Sequence, residues 1–257
     1  MSPADTLAQP MKEHAAKIRV DQLLVDRGLA DSREKARALI LAGDVLIDGQ
    51  KSDKPGRSVA SDCQVQVTAR LPYVSRGGLK LAAALEHFGI DVHDRACLDV
   101  GSSTGGFTDC LLQRGAALVW SIDVGHGQLD WKLRNDPRVV VREGVNARYL
   151  TAEDIPVKFH LAVCDASFIS VTLLIPAIVP LLTKHGEMVI LVKPQFEAGK
   201  GQVGKGGIVR DPVQHRQACD RVQACVEALG FHASIIESPI KGAEGNREFL
   251  LYAQPKS

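Results

Sequence analysis

Three polar residues of this chain stand where apolar runs end or begin. Asp165 closes HLAVCD, Lys193 closes EMVILVK, and Glu248 opens EFLLYA after Arg247. Short apolar runs that alternate with helix-length segments read as strands of a parallel sheet, and in an open α/β sheet the carboxyl ends of those strands face the ligand crevice. Asp165 and Lys193 then face it together, and Glu248 joins them if the last strand runs antiparallel. A lysine held in such a crevice is costly unless carboxylates partner it, and two are at hand. Burial and a second nearby ammonium both favour the neutral amine, which can accept a proton. Lys80 in YVSRGGLKL, on a predicted helix just before the first strand, is the candidate for that second ammonium. Any one of these residues alone would more often be a surface charge; their joint placement is what points to proton abstraction.

The first strand of the same region runs into Asp99-Val100-Gly101-Ser102-Ser103-Thr104-Gly105-Gly106-Phe107. Small residues at a strand-to-helix turn let a ligand approach the backbone closely. The next strand closes on Asp123 in SIDVG, where a carboxylate can bind ribose hydroxyls, so the pair of features points to an adenosine-containing ligand. A dinucleotide loop requires G-x-G-x-x-G, and here Ser103 replaces the second glycine, which demotes NAD. The Asp99-x-Gly101 start with the Gly105-Gly106 pair fits the methionine-adenosine loop of class I methyltransferases better. A second cluster, Gly199 to Gly206, offers Gly206 where a phosphate-binding loop needs Ser or Thr, and Pro212 follows too soon for the required helix. It reads as a mobile basic loop, with Lys200, Lys205 and Arg210 as candidate phosphate contacts.

The elements needed to carry these residues are legible from Ala96 onward: CLDV, LVWSIDV, VVV, HLAVCD and EMVILVK, a helix over Pro212 to Leu229, then HASIIES and EFLLYA. Alternation of this kind predicts a doubly wound α/β domain. Upstream, Val20 to Gly28 and Ser32 to Gly43 form two amphipathic helical patterns stopped by glycine, followed by strand-like alternation in Asp44–Gly49 and Gln64–Thr68. The expected division is a polar leader over residues 1–17, a small α+β domain over 18–69, a linker over 70–74, and the large domain over 75–257.

With 257 residues, the chain has room for one medium and one small domain. A net charge of +1 does not by itself indicate a nucleic-acid partner, so that inference must rest on local charge. The six cysteines form no CxxC pair and read as buried thiols. The leader lacks an apolar secretory segment, which makes cytoplasm the expected location. Ala166 to Thr183 carries no charge and approaches membrane-span length, but Pro176 and Pro180 argue for a buried core helix instead.

The motifs YVSRGGLKL, DVGSSTGGFTDCLL, DVGHGQL, CDASFIS, LVKPQFE, GIVRDP and NREFLLY cover nearly everything from Tyr73 to Tyr252, and together they resemble the TlyA family of ribosomal RNA methyltransferases related to FtsJ. The resemblance implies a class I, Rossmann-like methyltransferase domain using S-adenosylmethionine and no metal. It also implies a Lys-Asp-Lys-Glu tetrad around the target ribose, falling here on Lys80, Asp165, Lys193 and Glu248, with Lys193 as general base for 2'-O-methylation. On the same resemblance, Gly101, Ser103, Thr104, Gly105, Gly106 and Phe107 contact the methionine and ribose portions of the cofactor. Asp123 would bind the ribose hydroxyls, Asn146 the adenine side, and Asp165 would also lie beside the cofactor.

The stretch from Arg19 to about Thr68 resembles the RNA-binding module first described in ribosomal protein S-four. Arg19, Arg33, Lys35 and Arg37 are its candidate phosphate contacts, which give position and salt-dependent affinity rather than sequence reading. The implied partner is ribosomal RNA within ribosomal subunits, with cytidine as the implied target. The family's older name raises a membrane-lytic hemolysin as a rival, and a non-catalytic ribosome-binding factor is a second; the complete tetrad and the missing secretory segment argue against them.

Overall fold

The computed structural model describes residues 16–41, 43–67, 72–198, 204, 206–242 and 245–256. Most of the leader, Thr68, the first part of the expected linker, and Lys200 and Lys205 lie outside the described residues. The chain forms two compact units, one up to Arg70 and one from Leu71.

In the first unit β1 (Lys17–Arg19) leads into α1 (Val20–Asp26) and α2 (Arg33–Leu41). Then come β2 (Val45–Ile47), β3 (Gln50–Lys51), β4 (Ser58–Ala60) and β5 (Val65–Val67). Left-handed glycines follow both helices, Gly28 at φ 68° and Gly43 at φ 75°. This conformation ends a helix at little cost only where there is no Cβ. Val20, Leu24, Ala36, Ile40 and Val45 close a small core. β2 pairs antiparallel with β3 and β5, and β1 with β4. The sequence shows β2 and β5, which lie inside the alternating runs DVLIDG and QVQVT; β1, β3 and β4 lie in no such run.

Arg19 and Arg33 are not free surface cations. Both guanidiniums bond the buried Asp21 carboxylate, at 2.8 and 3.2 Å, while staying about half exposed themselves. Lys35 pairs with Asp31 at 2.5 Å. The Arg19 guanidinium, helped by Arg33 and opposed by burial, holds the Asp21 carboxyl well below the usual carboxylate range. A depressed folded-state value stabilises the unit above the ordinary aspartate range, about pH 4, and that contribution is lost as the pH falls further toward the folded value. Following the amide signals of Val20 and Leu24 through an acid titration is expected to show this unit loosening below about pH 4. In Asp21→Asn the unit is expected to be weaker at neutral pH, with that acid-dependent step removed. An unchanged acid profile in the variant would rule out Asp21 as the titrating group.

The second unit begins with α3 (Gly77–Phe88), β6 (Ala96–Val100), α4 (Gly106–Gln113), β7 (Leu118–Asp123), α5 (Trp131–Arg134), β8 (Val139–Glu143) and β9 (Phe159–Cys164). It continues through α6 (Ile175–Ile178), β10 (Leu182–Val192), α7 (Pro194–Glu197), α8 (Pro212–Ala228), β11 (Phe231–Glu237) and β12 (Phe249–Pro255). The seven strands lie in the order β11-β12-β10-β9-β6-β7-β8. β12 runs antiparallel to both of its neighbours, and the pairs from β10 to β8 are parallel.

Alternate residues of the central strands feed opposite cores, as the two-residue period of a strand requires. Leu98, Val100, Ile122 and Ile190 pack beneath α6 and α8. Cys97, Val119, Val163 and Leu191 pack against α3 and α4. The six cysteines are unpaired, all but Cys225 fully buried.

The uncharged stretch from Ala166 to Thr183 buries Val171, Leu174, Ile175, Ile178 and Leu181 but leaves Phe168 and Leu173 exposed, and it is not the single buried helix its composition suggests. It breaks into a 3-10 turn at Val171–Leu173, the four-residue α6 and a second 3-10 turn at Val179–Leu181, before β10 starts. Pro176 and Pro180 lack the N–H a continuous helix needs, so each sits in the first turn of a new segment. Among the described residues no helix is long and apolar enough to cross a membrane. Pro72 to Val74, expected as the end of a linker, are bonded into this unit. The Val74 N–H donates to Asp109 and the Gln113 amide donates to the Pro72 carbonyl, both at 2.8 Å.

Candidate active site

β6 and β9 deliver their ends side by side, and Gly101 is where the two backbones meet. It has φ 80°, and a Cβ there would lie 2.6 Å from the Asp165 carbonyl oxygen. Only glycine satisfies both conditions. Asp123, at the end of β7, accepts the Ser103 N–H at 2.8 Å and the Gly125 N–H at 2.7 Å, which fixes its carboxylate beside the loop. Ser103 itself is left-handed at φ 48° and its hydroxyl donates to Gln128. Asp99 is fully buried, accepts the Thr108 hydroxyl at 2.6 Å, and is pushed up to about 7 by that burial. Its other oxygen has no partner among the described residues.

Three adjoining cavities open along this edge. The first, about 450 Å³, is lined by Gly101, Ser103, Asp123, Gln128, Asn146 and Asp165, among others. The second, about 180 Å³, takes in Thr104, Gly106, Phe107, Lys80, Asp165 and Lys193. The third, about 430 Å³, is lined by Lys80, Phe168, Lys193, Gln195 and Glu248. Ser167 lines all three. Lys80 and Lys193 belong to the wall between the second and the third.

Gly105, a candidate ligand contact, also has a packing role. A Cβ there would meet Leu133 at 2.3 Å and Leu129 at 2.8 Å, so this glycine brings the loop down onto α5 and the segment before it. Asn146 lines the first cavity while its side chain caps the 3-10 turn at Ala147–Tyr149 by accepting the Arg148 N–H.

The four charged residues do come together, but as two ion pairs. Lys193 Nζ lies 2.6 Å from Asp165 and donates to the Ser167 hydroxyl at 2.8 Å. Lys80 Nζ donates to Glu248 at 2.5 Å. The expectation that both carboxylates serve Lys193 is corrected: α3 brings a second, equally buried ammonium to the edge, and one carboxylate for each neutralises both. Ser167, Gln128 and Phe168 were missed in the sequence; the first and last sit two and three residues after Asp165 in CDASFIS, the only signal that could have found them. Asn246 accepts the Val209 N–H and donates to the Gly207 carbonyl, both at 2.9 Å, and so anchors the segment leading to the exposed Arg210 beside the third cavity.

A glycine loop after the first strand of a Rossmann-like sheet, with a single reversed strand next to its edge, defines a class I methyltransferase fold. The chain belongs to the FtsJ-like methyltransferase family, which matches residues 73–254, and carries an S4 domain over residues 18–62. It is 48% identical over 246 residues to the 16S/23S rRNA (cytidine-2'-O)-methyltransferase TlyA of Mycobacterium tuberculosis, covering 95% of this chain and 92% of that protein. It is 42% identical to Hemolysin A of Brachyspira hyodysenteriae, covering 91% and 99%. A solved hemolysin-named protein of Streptococcus thermophilus superposes with a TM-score of 0.73 at 43% identity, covering 94% of this chain and 89% of that one.

Proposed function

We propose that this chain methylates the 2'-hydroxyl of a cytidine ribose in ribosomal RNA, with S-adenosylmethionine as donor. The observation that carries the reading is the wall between the second and third cavities, where Lys80 and Lys193 stand between the small cavity at the glycine loop, which adjoins the first, and the larger cavity taken to receive the acceptor. The residues suit the cofactor. Gly101 leaves the backbone bare where a ligand must pass, Asp123 is a fixed carboxylate for ribose hydroxyls, and Asn146 borders the far end of the first cavity. S-adenosylmethionine, when bound, supplies an electrophilic methyl group on a sulfonium.

Lys193 takes the proton from the attacking hydroxyl. Asp165, 2.6 Å from its Nζ, stabilises the ammonium so formed, and Ser167 fixes the amine's direction. The Lys80–Glu248 pair holds the ribose, and much of the rate comes from positioning. TlyA of M. tuberculosis, alike over most of its length, is a cytidine-2'-O-methyltransferase of 16S and 23S rRNA, which supports the substrate.

Residues 18–69 are taken as the RNA-binding domain and 75–257 as the catalytic one. Asp21 occupies two N–H groups of Arg19 and one of Arg33. A guanidinium has five, so donors remain for phosphates beside Lys35 and the exposed Arg37. Arg210, three residues after the Gly207 that lines the third cavity, is taken as a further phosphate contact; Lys200 and Lys205, outside the described residues, are candidates by sequence alone.

The direct test incubates the purified protein with labelled S-adenosylmethionine and unmodified ribosomal subunits, then digests the RNA to nucleosides. Label in 2'-O-methylcytidine is expected. Its absence from both subunits would overturn the function.

A further inference from the structure

Lys193 is the extended N-cap residue of the short α7, which ends at Glu197, so the two side chains stand at opposite ends of one helical turn. Lys193 grips the loop after β9 at its start, through Asp165 and Ser167. Glu197 grips the same loop at its end. Its carboxylate accepts the Ser170 hydroxyl at 2.5 Å and the Val171 N–H at 2.8 Å, which caps the 3-10 turn that follows. Glu197 is only 2% exposed. Its own carbonyl accepts a guanidinium N–H of Arg221 from α8.

Between the two grips lies Phe168, left-handed at φ 66° and 92% exposed, a conformation that a non-glycine residue keeps only when its surroundings impose it. A buried carboxylate is costly, and burial indeed pushes the Glu197 carboxyl upward. An apolar side chain would fill the same space without that cost, so what the carboxylate contributes is its pair of bonds to the loop.

We propose that Glu197 is a positioning residue for methyl transfer: with Lys193 it clamps the loop over residues 165–171, holding Asp165 and Ser167 in register with the Lys193 amine. This rests on the methyltransferase reading. Glu197 touches none of the reacting atoms and acts through Ser170 and Val171. Small displacements of reacting groups are expensive in rate even when binding survives.

The test uses the full chain with Glu197→Ala, Glu197→Gln, Ser170→Ala and the Ala double variant. Three readouts apply: single-turnover methyl transfer at saturating S-adenosylmethionine and ribosomal subunits, calorimetric affinity for S-adenosylmethionine, and hydrogen exchange at the Val171 amide. Glu197→Ala is expected to lower the rate about 10- to 100-fold, as a misplacement near 1 Å does. Affinity for the donor is expected to fall by less than the rate does: Asp165 to Ile169 of the clamped loop line the first cavity, but the rate is read at saturating donor and depends directly on the Lys193 geometry.

Glu197→Gln keeps an acceptor for Val171 and is expected to restore most of the rate. Ser170→Ala should lose about 3- to 10-fold, and less when added to Glu197→Ala than on its own, because the two share one bond while the Ser170 hydroxyl also accepts the Thr172 N–H. Exchange at Val171 should accelerate wherever the rate falls. A wild-type single-turnover rate in folded Glu197→Ala, or unchanged Val171 exchange, overturns the clamp. Should Glu197→Ala fail to fold, wild-type rate and exchange in Ser170→Ala overturn it equally. If the wild-type protein transfers no methyl group, the functional reading fails while the exchange measurement still decides the clamp.

Discussion

Replacing Lys193 with alanine is expected to lower methyl transfer to rRNA by about 10³-fold, within the usual range for losing a positioned general base, while leaving S-adenosylmethionine binding in place. The separation follows from the cavities: Lys193 lines the second and third, but not the first, where the nucleoside portion of the donor is proposed to sit. Removing the ammonium strips Asp165 of its partner, so a loss of stability is also expected, and the rate must be measured on folded protein. Lys193→Arg separates charge from proton transfer. A guanidinium preserves the positive charge but does not deprotonate in proteins, so this variant should be as inactive as the alanine one. Calorimetry for the donor alongside single-turnover transfer checks both halves; full activity in either variant would remove Lys193 from the role of base.

The second large effect is expected at Gly101. Its alanine variant would need a Cβ 2.6 Å from the Asp165 carbonyl oxygen and a left-handed backbone, and both elements that meet there carry cavity-lining residues. Strain of about 1–3 kcal/mol from the backbone alone corresponds to roughly a 5- to 150-fold change in an equilibrium constant, and the collision adds to it. Donor affinity in Gly101→Ala is therefore expected to fall at least tenfold to a hundredfold, on the order given by that strain. Gly89→Ala is the control. Gly89 is also left-handed, at φ 67°, yet nothing lies within 4 Å of its Cβ position, so it carries the conformational penalty without the collision. Calorimetric titration should show weak binding in the first variant and near-normal binding in the second. Equal affinities would mean that the junction of the loops after β6 and β9 does not shape the donor cavity.

The strands of the large sheet were legible because burial on both faces leaves a continuous apolar run, and the residue that ends such a run is conspicuous. Asp123, Asp165 and Lys193 all announce themselves this way, and Gly101 and Gly105 by their place in a strand-to-helix turn. The use of each glycine was not legible. Gly101 is required by the Asp165 backbone and Gly105 by Leu129 and Leu133, partners that are distant in the chain. Charge pairing was hidden for the same reason: whether Glu248 serves Lys193 or Lys80 depends on where α3 lies over the sheet, and no local pattern encodes that. The ion pairs of Asp21 were not legible either, because nothing in its neighbourhood foretells that Arg33 returns to it from α2. In the small unit, β2 and β5 are seen because alternation continues beyond their three paired residues, whereas β1, β3 and β4 have no alternating flanks.

The reversed strand next to the sheet edge also has a consequence for how the protein is made. β12 is last in the chain yet lies between β10 and β11, and Glu248 enters with it, 168 residues after its partner Lys80. A growing chain can assemble β6 to β10 and the cavity for the donor before that strand has left the ribosome, but both its acceptor site and its sheet are unfinished until the final hairpin slots in. Long-range pairing of this kind forms slowly. Until it does, Lys80 lacks its counter-charge, so the proposed grip on the ribose cannot form before β12 is made.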